Sequence, residues 1–95
     1  MKILNSTRDP LAVFIQFNNN GHPFSTGFNP VKSNSEFSFF NTYKTSIFIN
    51  LFSYNFDKKI VISYQDKKYY IEDTSGLKVE ELDSDDNDEP YIRIY

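Results

Sequence analysis

Apolar residues in this chain alternate with polar ones or run together in short blocks. No stretch longer than one turn carries the 3.6-residue period of an amphipathic helix. Blocks rich in β-branched and aromatic residues are separated by Asn, Gly, Pro and Asp, the punctuation of strands and turns. The pattern predicts strands over residues 2–5, 11–18, 36–40, 45–52, 59–64, 68–72, 77–82 and 91–95. The clearest is 11–18, where Leu11, Val13, Ile15 and Phe17 share one face while Ala12 and Phe14 occupy the other. Residues 18–23 (Asn-Asn-Asn-Gly-His-Pro) read as a loop, and 24–34 as irregular with a short edge segment before Pro30. Gln65-Asp66-Lys67 reads as a tight hairpin connection, and Thr74-Ser75-Gly76 as a turn.

Seven or eight short strands without helices imply an all-β fold, an antiparallel β-sandwich forming one domain over residues 1–95. Its expected core is Val13, Ile15, Phe37, Phe39, Ile47, Ile49, Ile60, Ile62, Ile71, Val79, Ile92 and Ile94. A chain of 95 residues without cysteine has neither disulfides nor thiolate metal sites to staple it. Burial must hold it together, and ten Phe and seven Tyr supply large rings for that purpose.

The absence of cysteine fits a reducing compartment, and the opening residues are broken by charges and Pro10 before any signal-like apolar run forms. A cytoplasmic location is therefore expected. The longest apolar run, residues 11–15, is far too short to span a membrane as a helix. In an exported chain Asn5-Ser6-Thr7 would be an N-glycosylation acceptor.

Charge is distributed unevenly. Residues 1–79 hold nine Lys/Arg against six Asp/Glu, whereas residues 80–89 hold seven acids and no base. The net charge of −3 thus conceals a mildly basic body and one strongly acidic loop.

Catalytic chemistry finds little to work with. The single histidine, His22, sits in the Asn/Gly/Pro segment without an acid beside it, and Gly21, Gly27 and Gly76 are isolated turn glycines rather than a phosphate loop. The chain does not read as an enzyme.

Asp83, Asp85, Asp86 and Asp88 are the candidate metal ligands, because calcium takes six to eight oxygens from flexible, carboxylate-rich loops. The run fails the EF-hand pattern: Asp88 stands where the glycine belongs and Ile94 at the twelfth position. The competing expectation is a solvated charge run that guards the final strand pair against aggregation.

Lys58-Lys59 and Lys67-Lys68 alternate with Phe56, Tyr64, Tyr69 and Tyr70, a pattern able to stack bases. In a hairpin the two pairs fall at different positions along the ribbon, and the acidic loop would repel phosphates, so nucleic acid is not the expected partner.

Aromatic excess points elsewhere. Phe37, Phe39, Phe40, Phe48, Phe52, Tyr54 and Phe56 exceed what one inner sheet face can bury. On residues 45–52, Ile47, Ile49 and Leu51 point one way and Phe48 and Phe52 the other. Phe48, Phe52 and Tyr54 are therefore the candidate partner-binding residues, set against the alternative of a second small core under residues 24–34.

The order of turn signals over residues 2–72 resembles the β-domain of the von Hippel–Lindau protein family. The signals are Ile3-Leu4-Asn5-Ser6-Thr7, residues 13–17, Gly21-His22-Pro23, Asn29-Pro30 and Thr42-Tyr43. The family's hydroxyproline pocket uses a His and a Trp just after that Tyr; Ser46 and Phe48 stand at the matching places, and the family's helical domain has no counterpart. The resemblance implies a sandwich that binds proteins and transfers no site. The functional expectation is a non-catalytic protein-binding or inhibitory module. Its alternatives are a self-assembling structural protein, favoured if an uncharged strand such as 45–52 lies at a sheet edge, or a calcium-binding adhesion or lectin-like module.

Overall fold

The computed structural model of the chain describes residues 1–19, 21–39, 44–82 and 89–95. Nine strands form among them: β1 (Lys2–Asn5), β2 (Leu11–Asn19), β3 (His22–Val31), β4 (Ser35–Ser38), β5 (Ile47–Phe52), β6 (Asp57–Gln65), β7 (Lys68–Asp73), β8 (Val79–Glu81) and β9 (Tyr91–Ile94). They make a four-stranded sheet, β4-β1-β9-β8, and a five-stranded sheet, β3-β2-β5-β6-β7, which do not close into a barrel. Every pairing is antiparallel except β1 with β9, which run parallel.

The expected all-β class is what forms, with one strand more than the upper expectation. The extra one is β3, which occupies most of the segment expected to be irregular. Its Pro, Ser, Asn and Gly residues weaken the sequence signal, but pairing with the long, strongly apolar β2 overrides that weak propensity. The expected six-residue loop before it shrinks accordingly, because β2 runs on to Asn19 and β3 begins at His22. At the other hairpin, β6–β7, Asp66 and Lys67 both take positive φ (52° and 64°), the geometry of a two-residue primed turn that matches strand twist.

One core lies between the sheets. Ile3, Ile92 and Ile94 reach it from the four-stranded sheet; Leu11, Val13, Ile15, Phe17, Ile47, Ile49, Leu51, Ile60 and Ile62 reach it from the other. Alternation holds on β5, where odd positions are buried and even ones half-buried. Phe37, Phe39, Ile71 and Val79, expected in the core, are only partly buried against it. β4, β7 and β8 are edge strands, or adjoin one in the case of Phe39, so their residues have neighbours on one side only.

Asn5 is the one buried polar residue among those described, and it is fully used. Its Nδ2 donates to the carbonyls of Asp9 (2.9 Å) and Val31 (3.0 Å), and its Oδ1 accepts from the Thr7 amide (3.0 Å). The side chain thereby clips the end of β1, the following turn and the end of β3 together. In the folded chain the nitrogen that a glycan would join is enclosed, and both its hydrogens are committed.

Candidate aromatic docking face

The two sheets present opposite kinds of outer face. That of the four-stranded sheet is a polar ladder. Lys2 Nζ lies 5.7 Å from the centre of the Tyr91 ring, and Tyr91 Oη donates to Glu36 Oε2 at 2.5 Å. Arg93 Nε donates to Ser6 Oγ at 2.9 Å, and its Nη1 stands 4.0 Å from Glu80 Oε2. The hydrogen bond to Glu36 leads the causes that raise the Tyr91 phenol above its ordinary value, because ionisation would set an anion against a carboxylate.

The outer face of the five-stranded sheet is aromatic over β2, β3 and β5 and polar over β6 and β7, where Ser63 Oγ donates to Glu72 Oε1 at 2.6 Å. Phe14 on β2, Phe28 on β3 and Phe52 on β5 meet there: Phe28 lies 4.9 Å from Phe14 and 5.4 Å from Phe52 between ring centres. Phe28 is 65% exposed, and Tyr54, in the turn after β5, is 86% exposed. Beside them is a shallow groove of 290 Å³ lined by Pro10, Leu11, Ala12, Pro30, Phe52, Ser53 and Tyr54. None of the residues that build this patch is charged, but Asp57 stands directly opposite Phe52 on the same face and Lys59 opposite Asn50, so its β6 rim carries both signs.

Of the three residues singled out from sequence, the structure brings two together. Phe52 and Tyr54 belong to the patch. Phe48 projects from the same face but is set apart from it by a polar pair, Asn50 Nδ2 donating to Gln16 Oε1 at 3.2 Å. Lys59 Nζ also covers it, 4.8 Å from the ring centre. Phe14, Phe28, Ala12 and Pro30 are members that sequence reasoning missed. Phe14 carried a signal, being the odd apolar residue on the polar side of a clear strand; Phe28 lay in the segment read as irregular.

The condition that would have favoured assembly is not met by residues 45–52: β5 lies at the centre of its sheet, between β2 and β6. The uncharged edge is β3, and it is blunted. Pro23 and Pro30 stand opposite Asn18 and Ala12. Having no N–H, they can occupy only positions that exchange no bond with β2, so their nitrogens face outward and offer an added strand nothing. Between them Thr26 and Gly27 (φ 69°) form a bulge whose two carbonyls already accept from Asn29 Nδ2 at 3.3 and 3.1 Å.

A further cleft of 350 Å³ opens between β7 and β8, with Ile62, Ile71 and Ile92 at its base and Lys68 and Glu81 on its lips. The candidate calcium ligands Asp83, Asp85, Asp86 and Asp88 lie outside the described residues. Among the described residues no three His, Asp or Glu side chains gather as metal ligands, and His22 is exposed at the start of β3. The lysine pairs sit at opposite ends of the β6–β7 ribbon. No helix among the described residues is long and apolar enough to cross a membrane.

Comparison of the chain with protein-family models, with curated proteins and with solved structures finds no match.

Proposed function

We propose that this chain is a non-catalytic protein-binding module, a β-sandwich that docks a protein through the aromatic outer face of β2, β3 and β5. The observation that carries the reading is the contrast between the two outer faces: one is tied up in hydrogen bonds, a cation–ring contact and an ion pair, and the other holds a contiguous cluster of Phe14, Phe28 and Phe52 with exposed Tyr54 beside it. Exposed rings retain most of their burial energy for a partner, and aromatic side chains are the commonest anchors of protein interfaces.

A lectin-like role fits less well. Sugars stack on a flat platform, and these rings are tilted by 41° and 57° to one another. Growth by edge-to-edge strand pairing is opposed by the proline-flanked bulge of β3 and by the charges on the other edges, Glu36 on β4, Lys68, Glu72 and Asp73 on β7, and Glu80 and Glu81 on β8.

The test is a photo-crosslinking phenylalanine analogue placed at Phe28, with the same analogue at Leu4 on the polar face as control, in cells of the native source. Protein adducts from position 28 and not from position 4 support the reading. Equal adducts from both positions, or none from position 28, overturn it.

A further inference from the structure

Independently of the aromatic face, the geometry points to the free edge of β8 as a second docking site, which takes an extended segment of a basic protein as an added strand. The bonds between β8 and β9 decide which backbone groups are left over. Leu82 N–H donates to Tyr91 O at 2.8 Å, and Tyr95 N–H to Lys78 O at 3.1 Å. Positions 78, 80 and 82 therefore face β9, and the N–H and C=O of Val79 and Glu81 point out of the sheet edge. The edge of β3 is blunted by two prolines and a bulge; β8 carries neither.

Side chains supply a second, separate observation. Val79 and Glu81 stand opposite Ile94 and Ile92, which point into the core, so both turn inward while Glu80 turns outward beside Arg93. Glu81 thus places a carboxylate at the mouth of the 350 Å³ cleft floored by Ile62, Ile71 and Ile92. It is exposed and makes no ion pair among the described residues. Glu89, also at the cleft, is committed to the Met1 amine at 3.1 Å, and Lys67 and Lys68 belong to the opposite lip. The carboxylates that oppose pairing of β8 with a second β8 favour a strand that brings a base.

Register fixes what fits. A residue laid opposite Glu81 exchanges both backbone bonds with it and shares its inward face, with Cα atoms about 5.5 Å apart. Lysine or arginine there sets its charge beside the carboxylate and its methylene stem across Ile71 and Ile92. Two residues along, opposite Val79, a β-branched side chain continues the core; the residue between them faces outward with Glu80. The occupant is therefore a strand with a base and a valine or isoleucine two residues apart. Backbone bonds supply its affinity, and the alternate side chains supply the choice.

The probe is a blocked peptide of about seven residues, Lys-Thr-Val flanked by threonines, with glutamate in place of lysine as control. Nuclear magnetic resonance titration at matched ionic strength reads the complex amide by amide. The expected result is saturable binding, with shifts and slowed exchange at the Val79 and Glu81 amides. Binding weakens about two- to fivefold in Glu81→Gln and further for the glutamate peptide. Glu81→Lys reverses the preference between the two peptides, an outcome that a structural defect does not produce. Glu81 is exposed on an edge strand, so folding survives both substitutions, and circular dichroism checks it. Tyr54→Ala leaves binding unchanged, which keeps this site distinct from the aromatic face. No saturation up to about 5 mM peptide, no response at Val79 and Glu81, or indifference to both Glu81 substitutions overturns the inference. The inward carboxylate is then an edge guard only, and crosslinking at position 28 still decides separately what the aromatic face binds.

Discussion

Phe24 and Phe28 lie four residues apart on one strand and project from opposite faces of the sheet. Phe24 pairs with Phe17 and stacks on it on the core side, centres 5.6 Å apart and planes at 12°. Phe28 pairs with Phe14 on the outer side. A regular strand would put both on one face; the extra residue at Thr26-Gly27 reverses the parity. That single inserted residue completes the aromatic patch from β3.

The bulge depends on backbone geometry more than on space. Gly27 has φ 69°, and a Cβ placed there meets nothing within 4 Å. Gly27→Ala is expected to cost about 1–2 kcal/mol from conformation alone, and Gly27→Asn distinctly less. Urea denaturation of the three proteins measures both; equal stability throughout would show that the bulge does not require the left-handed residue.

Removing the Asn5 side chain strips partners from the Thr7 amide and from the Asp9 and Val31 carbonyls at once. Asn5→Ala is expected to destabilise by about 2–4 kcal/mol, since each polar group left buried and unpaired costs about 1–3 kcal/mol. Asn5→Asp keeps the shape but loses both donors, so it should fare no better at neutral pH. A loss below about 0.5 kcal/mol, the size of an ordinary surface change, would mean that water replaces the clip.

Core and face should respond differently to truncation. Ile49 is fully buried between both sheets, and Ile49→Ala should cost about 2–5 kcal/mol. Phe28→Ala loses only ring contacts made at the surface and should cost about 1 kcal/mol. Thermal melts of the two variants measure both losses. A larger loss for Phe28 than for Ile49 would make the outer cluster a second structural core.

Tyr91 should hold its proton past the point where a free phenol gives it up. The raised value means that the folded state binds this proton more tightly than the unfolded one. The stabilisation is therefore complete below the unfolded phenol value, near 10, and is lost as pH climbs through the higher folded value. Ultraviolet titration of tyrosinate absorbance should show one late-ionising phenol that moves down in Glu36→Gln. No movement would place the cause outside that hydrogen bond.

Much of this architecture is legible before any coordinates. Alternation on β2 and β5, the hairpin at Asp66-Lys67 and the apolar inward residues of β9 follow from the period of a pleated strand and from turn chemistry, both local properties. So does the surplus of rings, which singled out Phe52 and Tyr54. What the chain cannot announce locally is partnership. β3 exists because β2 offers it a ladder, and Phe28 faces outward because one unpaired residue shifts the register by one. Phe48 drops out of the patch because Lys59 and the Gln16–Asn50 pair, distant in sequence, come to lie on and beside it. Composition and periodicity determined an all-β protein with more aromatic side chains than one core can hold. Only the tertiary structure decided which of them meet, because a sheet face is assembled across strands and its membership is set by register.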